Sequence, residues 1–210
     1  MSLSVRGIAR RFLNRTGPLA GRDVFFAGAA GTHLLRARLE SLARQEISFA
    51  VSECIYAWTA RYEQTWSHLR VRVQLNPDAG ITPQTMATLQ ATWETGIETM
   101  WSNRWSIGRP GEAACPLTFD VQWVAANAHH TVRVQTGPAR SNMTLWDTAD
   151  TGAVAAHEFG HMHGNPDEYP DAACPGRNPV NSGTVMDNNS NTLPPRLVQR
   201  IADNVGSNIV

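Results

Sequence analysis

This sequence predicts an α+β fold with a twisted mixed sheet, and three observations carry that expectation. Apolar residues alternate with polar ones at Leu69, Val71, Val73 and Leu75, the period of a half-buried strand. Met86, Leu89, Trp93, Ile97, Met100 and Trp101 then recur at the spacing of one helix face. The elements after them run strand, strand, strand, helix, irregular segment, helix, which is the layout of an α+β domain.

Taken in order, residues 1–68 read as a basic, mainly helical leader and 69–210 as the functional domain. Between 32 and 64, Leu34, Leu35, Leu39, Leu42, Ile47, Val51, Ile55 and Trp58 return at spacings of one, three, four and five, with Thr32 as a cap. Residues 69–75 are the first strand, and Asn76-Pro77-Asp78-Ala79-Gly80 is a turn. Thr82 caps a helix that opens with Pro83 and runs to about 103. Residues 104–116 read as loop. Strands follow over 117–124 and 131–136, with a short one over 142–146. A second helix starts near 148–150 and ends near 162–164. After an irregular stretch to 194, a final helix over 195–205 turns Leu197, Val198, Ile201 and Val205 inward.

With 210 residues, 42% hydrophobic and 17% charged, the chain has the material for a sizeable core and does not read as disordered. No apolar run is long enough to cross a bilayer. The net charge of zero is unevenly spread: residues 1–72 hold eleven Arg against five acids, and 73–210 hold seven against thirteen. The basic leader reads as a solvated helix face packed on the acidic part, so no nucleic-acid partner is expected. Every basic residue is arginine, which fits high-GC codon usage and also a protein delivered into a host cell. Arg6, Arg10, Arg11 and Arg15 are followed by no apolar core, so no secretory signal is read; secretion or injection by a signal-independent route stays open. Cys54, Cys115 and Cys174 are an odd count. A Cys115–Cys174 bridge is one open pairing, and Cys54 is an open candidate for a thiol that ligates the metal in a latent form.

The chemistry lies at 156–169. His157-Glu158-Phe159-Gly160-His161 is H-E-x-x-H, and on a helix two histidines four apart share one face, so both can aim a nitrogen at a single zinc ion. Glu158 stands beside the open position, where a carboxylate can take a proton from water. Gly164 can adopt the left-handed conformation that ends a helix, and Asp167 can then return as the third ligand. Glu168, next to it, is the competing carboxylate. His163 faces elsewhere, and His33, His68, His129 and His130 read as structural. Three protein ligands and a vacancy describe a catalytic site for one Zn2+ ion rather than a structural one.

The extended pattern H-E-x-x-H-x-x-G-x-x-D resembles the metzincin zinc metalloproteases, and among them the snapalysin-type minority with aspartate as third ligand. The resemblance spans roughly residues 69–205. It implies His157, His161 and Asp167 as metal ligands and Glu158 as general base. Ser182-Gly183-Thr184-Val185-Met186-Asp187 stands in the place of the family's methionine turn, with Met186 as the floor of the metal site. The implied activity is endopeptidase, with extended peptide or protein as substrate, bound by strand addition at the edge strand 142–146. Asn188 occupies the position where some members have a catalytic tyrosine, which leaves Tyr169 as a weak candidate for stabilising an oxyanion. Two other readings stand beside this one: a zinc amidase acting on a non-protein substrate such as cell-wall peptide, and a binding or delivery protein with a structural metal.

Overall fold

The computed structural model of the chain describes residues 44–210. These form a mixed six-stranded sheet, a small three-stranded sheet and four α-helices. Expectations for residues 1–43, including the Thr32 cap and His33, lie outside the described residues.

The helix expected over 32–64 is, over its described part, a β-hairpin. Strand β1 (Gln45–Glu53) pairs antiparallel with β2 (Tyr56–Thr65), and Cys54 and Ile55 make the two-residue turn, with Cys54 at φ 52°. Ile47 and Val51 stand four apart, a spacing that suits a helix face and equally every second position of a strand. Phe49 fills the place between them. Trp58, Ala60 and Tyr62 turn inward between exposed Ala57, Thr59 and Arg61, and this β-branched and aromatic content favours the pleated form. β2 then pairs antiparallel with β3 (His68–Pro77), so the hairpin joins the sheet across position 68/69, where the sequence places the start of the domain.

Helix α1 (Pro83–Trp101) begins as expected: Thr82 Oγ1 accepts from Thr85 N at 3.1 Å, and Pro83 occupies the first turn. Its whole predicted stripe, from Met86 to Trp101, is buried. Two short strands follow, β4 (Ser106–Gly108) and β5 (Cys115–Pro116), in the stretch read as loop; three and two residues carry no readable period. β6 (Thr118–Trp123) and β7 (His130–Gln135) both run parallel to β3, along its first and second halves, and β8 (Leu145–Asp147) runs parallel to β7. Tyr62, Leu69, Val71, Val73, Phe119, Val121, Val132, Val134 and Trp146 make the sheet's contribution to the core.

β8 sits at the sheet edge, but its outer main chain is already used. Asn142 and Leu145 exchange both their hydrogen bonds, Asp147 N donates to Asp150 Oδ2, and Asp147 O accepts from Asp150 N. An incoming peptide finds no free ladder there, which corrects the expectation of strand addition over 142–146.

Helix α2 (Gly152–Met162) carries the H-E-x-x-H motif and is capped by Thr151. It crosses α1 so closely at Gly96 and Gly152 that a Cβ on either would run into the other's backbone. Trp93 Nε1 donates to Asp150 O at 3.0 Å and Trp101 Nε1 to Ala156 O at 2.9 Å, and the two bonds fix the height and rotation of α2 against α1. Beyond it lie α3 (Val185–Asn188), a 3-10 turn (Pro195–Leu197), α4 (Gln199–Asn204) and β9 (Asn208–Ile209), which pairs with β4. The final helix is thus present in two pieces. Cys54 bonds to Cys174 and Cys115 is a free thiol, so the Cys115–Cys174 pairing is corrected, and Cys54 is no metal ligand. No helix among the described residues is long and apolar enough to cross a membrane.

His130, at the start of β7, ties the hairpin to the end of α2. Its Nε2 lies 3.0 Å from Arg61 O and 3.2 Å from Met162 O, so the neutral ring donates from Nε2. Burial pushes its pKa down to about 4, against the pull of those two carbonyls. The unfolded chain holds such a proton up to pH about 6.5, so the folded state binds fewer protons between these values. The stability His130 supports is therefore whole above pH 6.5, drains as pH falls from 6.5 to 4, and amounts to about 3 kcal/mol at most. Urea unfolding from pH 7 to pH 4 measures this: a His130→Gln variant should show a shallower decline than the parent, and an equal decline would refute the assignment.

Candidate metal centre

The geometry follows from how α2 ends. Gly164 N donates to His161 O and Asn165 N to Gly160 O, both at 3.0 Å, with Gly164 at φ 106°. This is a Schellman termination, and it needs the left-handed backbone that glycine adopts freely. A Cβ there would also strike the Phe49 ring of the hairpin. The reversed chain brings Asp167 back over the helix face that carries both histidines.

His157 Nε2 lies 3.1 Å and His161 Nε2 3.2 Å from Asp167 Oδ1. The ligating atoms of the three residues fall within 4.8 Å of one another. Each imidazole is oriented from behind: His157 Nδ1 meets Val185 O at 2.8 Å, and His161 Nδ1 meets Asn165 O at 2.7 Å. Those carbonyls accept only from a protonated Nδ1, so in the neutral rings the lone pair sits on Nε2, facing Asp167. With both rings neutral, three acceptor atoms turned on one point repel one another unless a cation lies between them. The donor set of two imidazoles and a carboxylate suits Zn2+, so the residues fit the ion their pattern implies.

The carboxylates agree with that reading. Burial alone would raise the Asp167 carboxyl, but the facing His157 and His161 rings and the Tyr169 hydroxyl hold it far below the usual carboxylate range. Burial lowers His161, yet Asp167 and Glu158 outweigh it and raise the ring's pKa. The centre favours positive charge. Glu158 is 5% exposed, and burial raises its pKa. Its Oε2 is 4.0 Å from His161 Nε2 and has no hydrogen-bond partner among the described residues. A buried, unspent acceptor beside the triad is what a proton-accepting base requires.

Glu168 goes elsewhere. Its Oε2 accepts from Ser182 Oγ and Thr184 Oγ1, each at 2.5 Å, and from Arg196 at 2.7 Å, while its N donates to Met186 O. The Met186 thioether fills the space beside Gly160, where a Cβ would collide with it. Asn188 is used locally, its Oδ1 accepting from Ser190 N. His163 is buried and neutral: Nδ1 donates to Phe159 O, Nε2 accepts from the Asn165 amide, and burial takes its pKa down to about 3. His68, His129 and His130 also lie outside the triad.

Tyr169, named from the sequence as a weak candidate for stabilising an oxyanion, instead holds the third ligand, and further contributors join it. The Tyr169 hydroxyl donates to Asp167 Oδ2 at 2.8 Å and accepts from Arg140 at 2.8 Å, and burial and Asp167 push its pKa up to about 12. Its ring stacks on His157. Arg177 is 3.6 Å from Asp167 Oδ2, pairs with Glu53 at 2.8 Å and donates to Tyr169 O. Trp58 Nε1 donates to His161 O at 2.9 Å from the hairpin. Arg140, Arg177 and Trp58 leave no local mark in the sequence, because each reaches the site from a separate part of the chain.

No family model, no curated protein and no solved structure matches this chain.

Proposed function

We propose that the chain is a zinc-dependent endopeptidase of metzincin type, with aspartate as the third ligand. The observation that carries this reading is the unpartnered Glu158 Oε2 beside three converged ligating atoms. His157, His161 and Asp167 would hold the ion, and Met186 packs against Gly160 on the helix of the two histidines. A zinc ion bound there supplies an acidified water and a Lewis acid for the scissile carbonyl. Glu158 accepts the proton of the attacking water and returns it to the leaving amine. Burial supports both halves of that task, since a raised carboxyl pKa makes it a better base and then a ready acid. Val185 O and Asn165 O keep the imidazoles in one tautomer, and Tyr169 and Arg177 hold the Asp167 carboxylate in place.

The test is direct. Purified protein should hold about one equivalent of zinc, cleave unfolded casein, and lose both after dialysis against a chelator. Less than a tenth of an equivalent, or cleavage that survives chelation, refutes the proposal. Cell-wall peptide run in parallel separates this reading from that of an amidase.

A further inference from the structure

We propose that Arg140 is a carboxylate-recognising residue at the rim of the metal centre, so that the preferred substrate carries a carboxylate beside the bond to be cut. This deepens the endopeptidase reading and rests on it.

Arg140 lies on the 136–141 loop before β8, and its neighbours on both sides are pinned. Ala139 N donates to the buried carboxylate of Asp147 at 2.7 Å, and Ser141 Oγ donates to Asp150 Oδ2 at 2.6 Å. The guanidinium lies over the Tyr169 ring, 5.6 Å from its centroid, and one of its nitrogens donates to the Tyr169 hydroxyl. That hydroxyl touches Asp167 Oδ2. One shared phenol oxygen therefore separates Arg140 from the third ligand.

The other well-placed arginines are spent on carboxylates. Arg70 pairs with Asp120, Arg72 with Glu46 and Glu63, Arg133 with Asp78, Arg177 with Glu53 and Arg196 with Glu168. Arg140 makes no ion pair among the described residues and feels Asp167 and Asp171 only at longer range, its single hydrogen bond goes to a neutral hydroxyl, and it is exposed. A guanidinium presents five donors in a rigid fork that matches a carboxylate. Arg140 thus keeps most of that fork for a visitor, on a loop that does not have to be ordered on binding. The closed edge of β8 gives this weight: with no main-chain ladder on offer there, side chains at the rim must do the recognising. The carboxylate can come from an Asp or Glu side chain or from a free chain terminus just past the scissile bond.

The test uses zinc-loaded full-length protein and three matched hexapeptides: one with an internal Glu and an amidated end, one with Gln in its place and an amidated end, and the Gln peptide with a free carboxylate. Binding is measured by calorimetry on Glu158→Gln, and kcat/KM on the parent. The Glu peptide, the free-acid peptide or both should bind at least ten times more tightly than the amidated Gln peptide. Arg140→Ala in the same background should bring that ratio to about one, and Arg140→Glu should push it below one. Equal binding of all three peptides, or a ratio that survives Arg140→Ala, overturns the proposal. If the ratio depends on Arg140 and the parent cuts none of the peptides or casein, the carboxylate site stands and the endopeptidase reading falls.

Discussion

Replacing Glu158 by Gln should lower kcat/KM on a peptide substrate by between about a hundredfold and ten-thousandfold, the range for loss of a general acid–base group. Zinc content should stay at the parent's level. The substitution keeps size and shape but removes the capacity to accept a proton. Nothing else stands ready to take over, since Asp167 faces both imidazoles and Glu168 is bound by Ser182, Thr184 and Arg196. Because Oε2 has no hydrogen-bond partner among the described residues, the change breaks no hydrogen bond there, and thermal unfolding should hardly move. A variant that binds zinc normally and still cleaves within tenfold of the parent would remove Glu158 from the mechanism.

Two adjacent acids allow a second contrast of comparable size. Asp167→Asn should weaken zinc binding by more than about a hundredfold, beyond what loss of an outer-shell partner costs, while leaving the fold standing. Glu168→Gln should do the reverse. It keeps the metal, and it loses about 1–3 kcal/mol of stability, because two hydroxyls and Arg196 meet an amide where a buried carboxylate stood. Competition with a chromogenic chelator and urea unfolding read the two effects separately. If Glu168→Gln loses the metal and Asp167→Asn keeps it, the ligand is Glu168.

The parts of this protein legible in the sequence are those set by local spacing. The stripe from Met86 to Trp101, the Thr82 cap with Pro83, and the glycine end of α2 each depend on residues within one or two turns of each other. The convergence of His157, His161 and Asp167 belongs with them, since ten residues and one turn bring the three together. The hairpin of β1 and β2 was hidden because a spacing of four serves helix and strand alike, and charged residues between the apolar ones suit either. The short ribbon of β4 and β5 offers too few residues for any period. The carbonyls of Val185 and Asn165, the Arg177 bridge to Glu53 and the place of Arg140 depend on backbone path and on partners far along the chain. The closed edge of β8 is of the same kind, because it rests on the side chain of Asp150 rather than on the strand's own pattern.

The Cys54–Cys174 bond turns the stretch between those residues into a covalent ring, and both histidines, Glu158 and Asp167 lie inside it. A protease of the kind proposed above would be its own nearest substrate, and the exposed loop between β4 and β5 would be the natural place for a self-inflicted nick. One cut within the ring opens it without dividing the molecule. The nicked protein keeps its full mass on a gel until a reductant is added, and the ends of the cut stay close enough for the sheet to hold together.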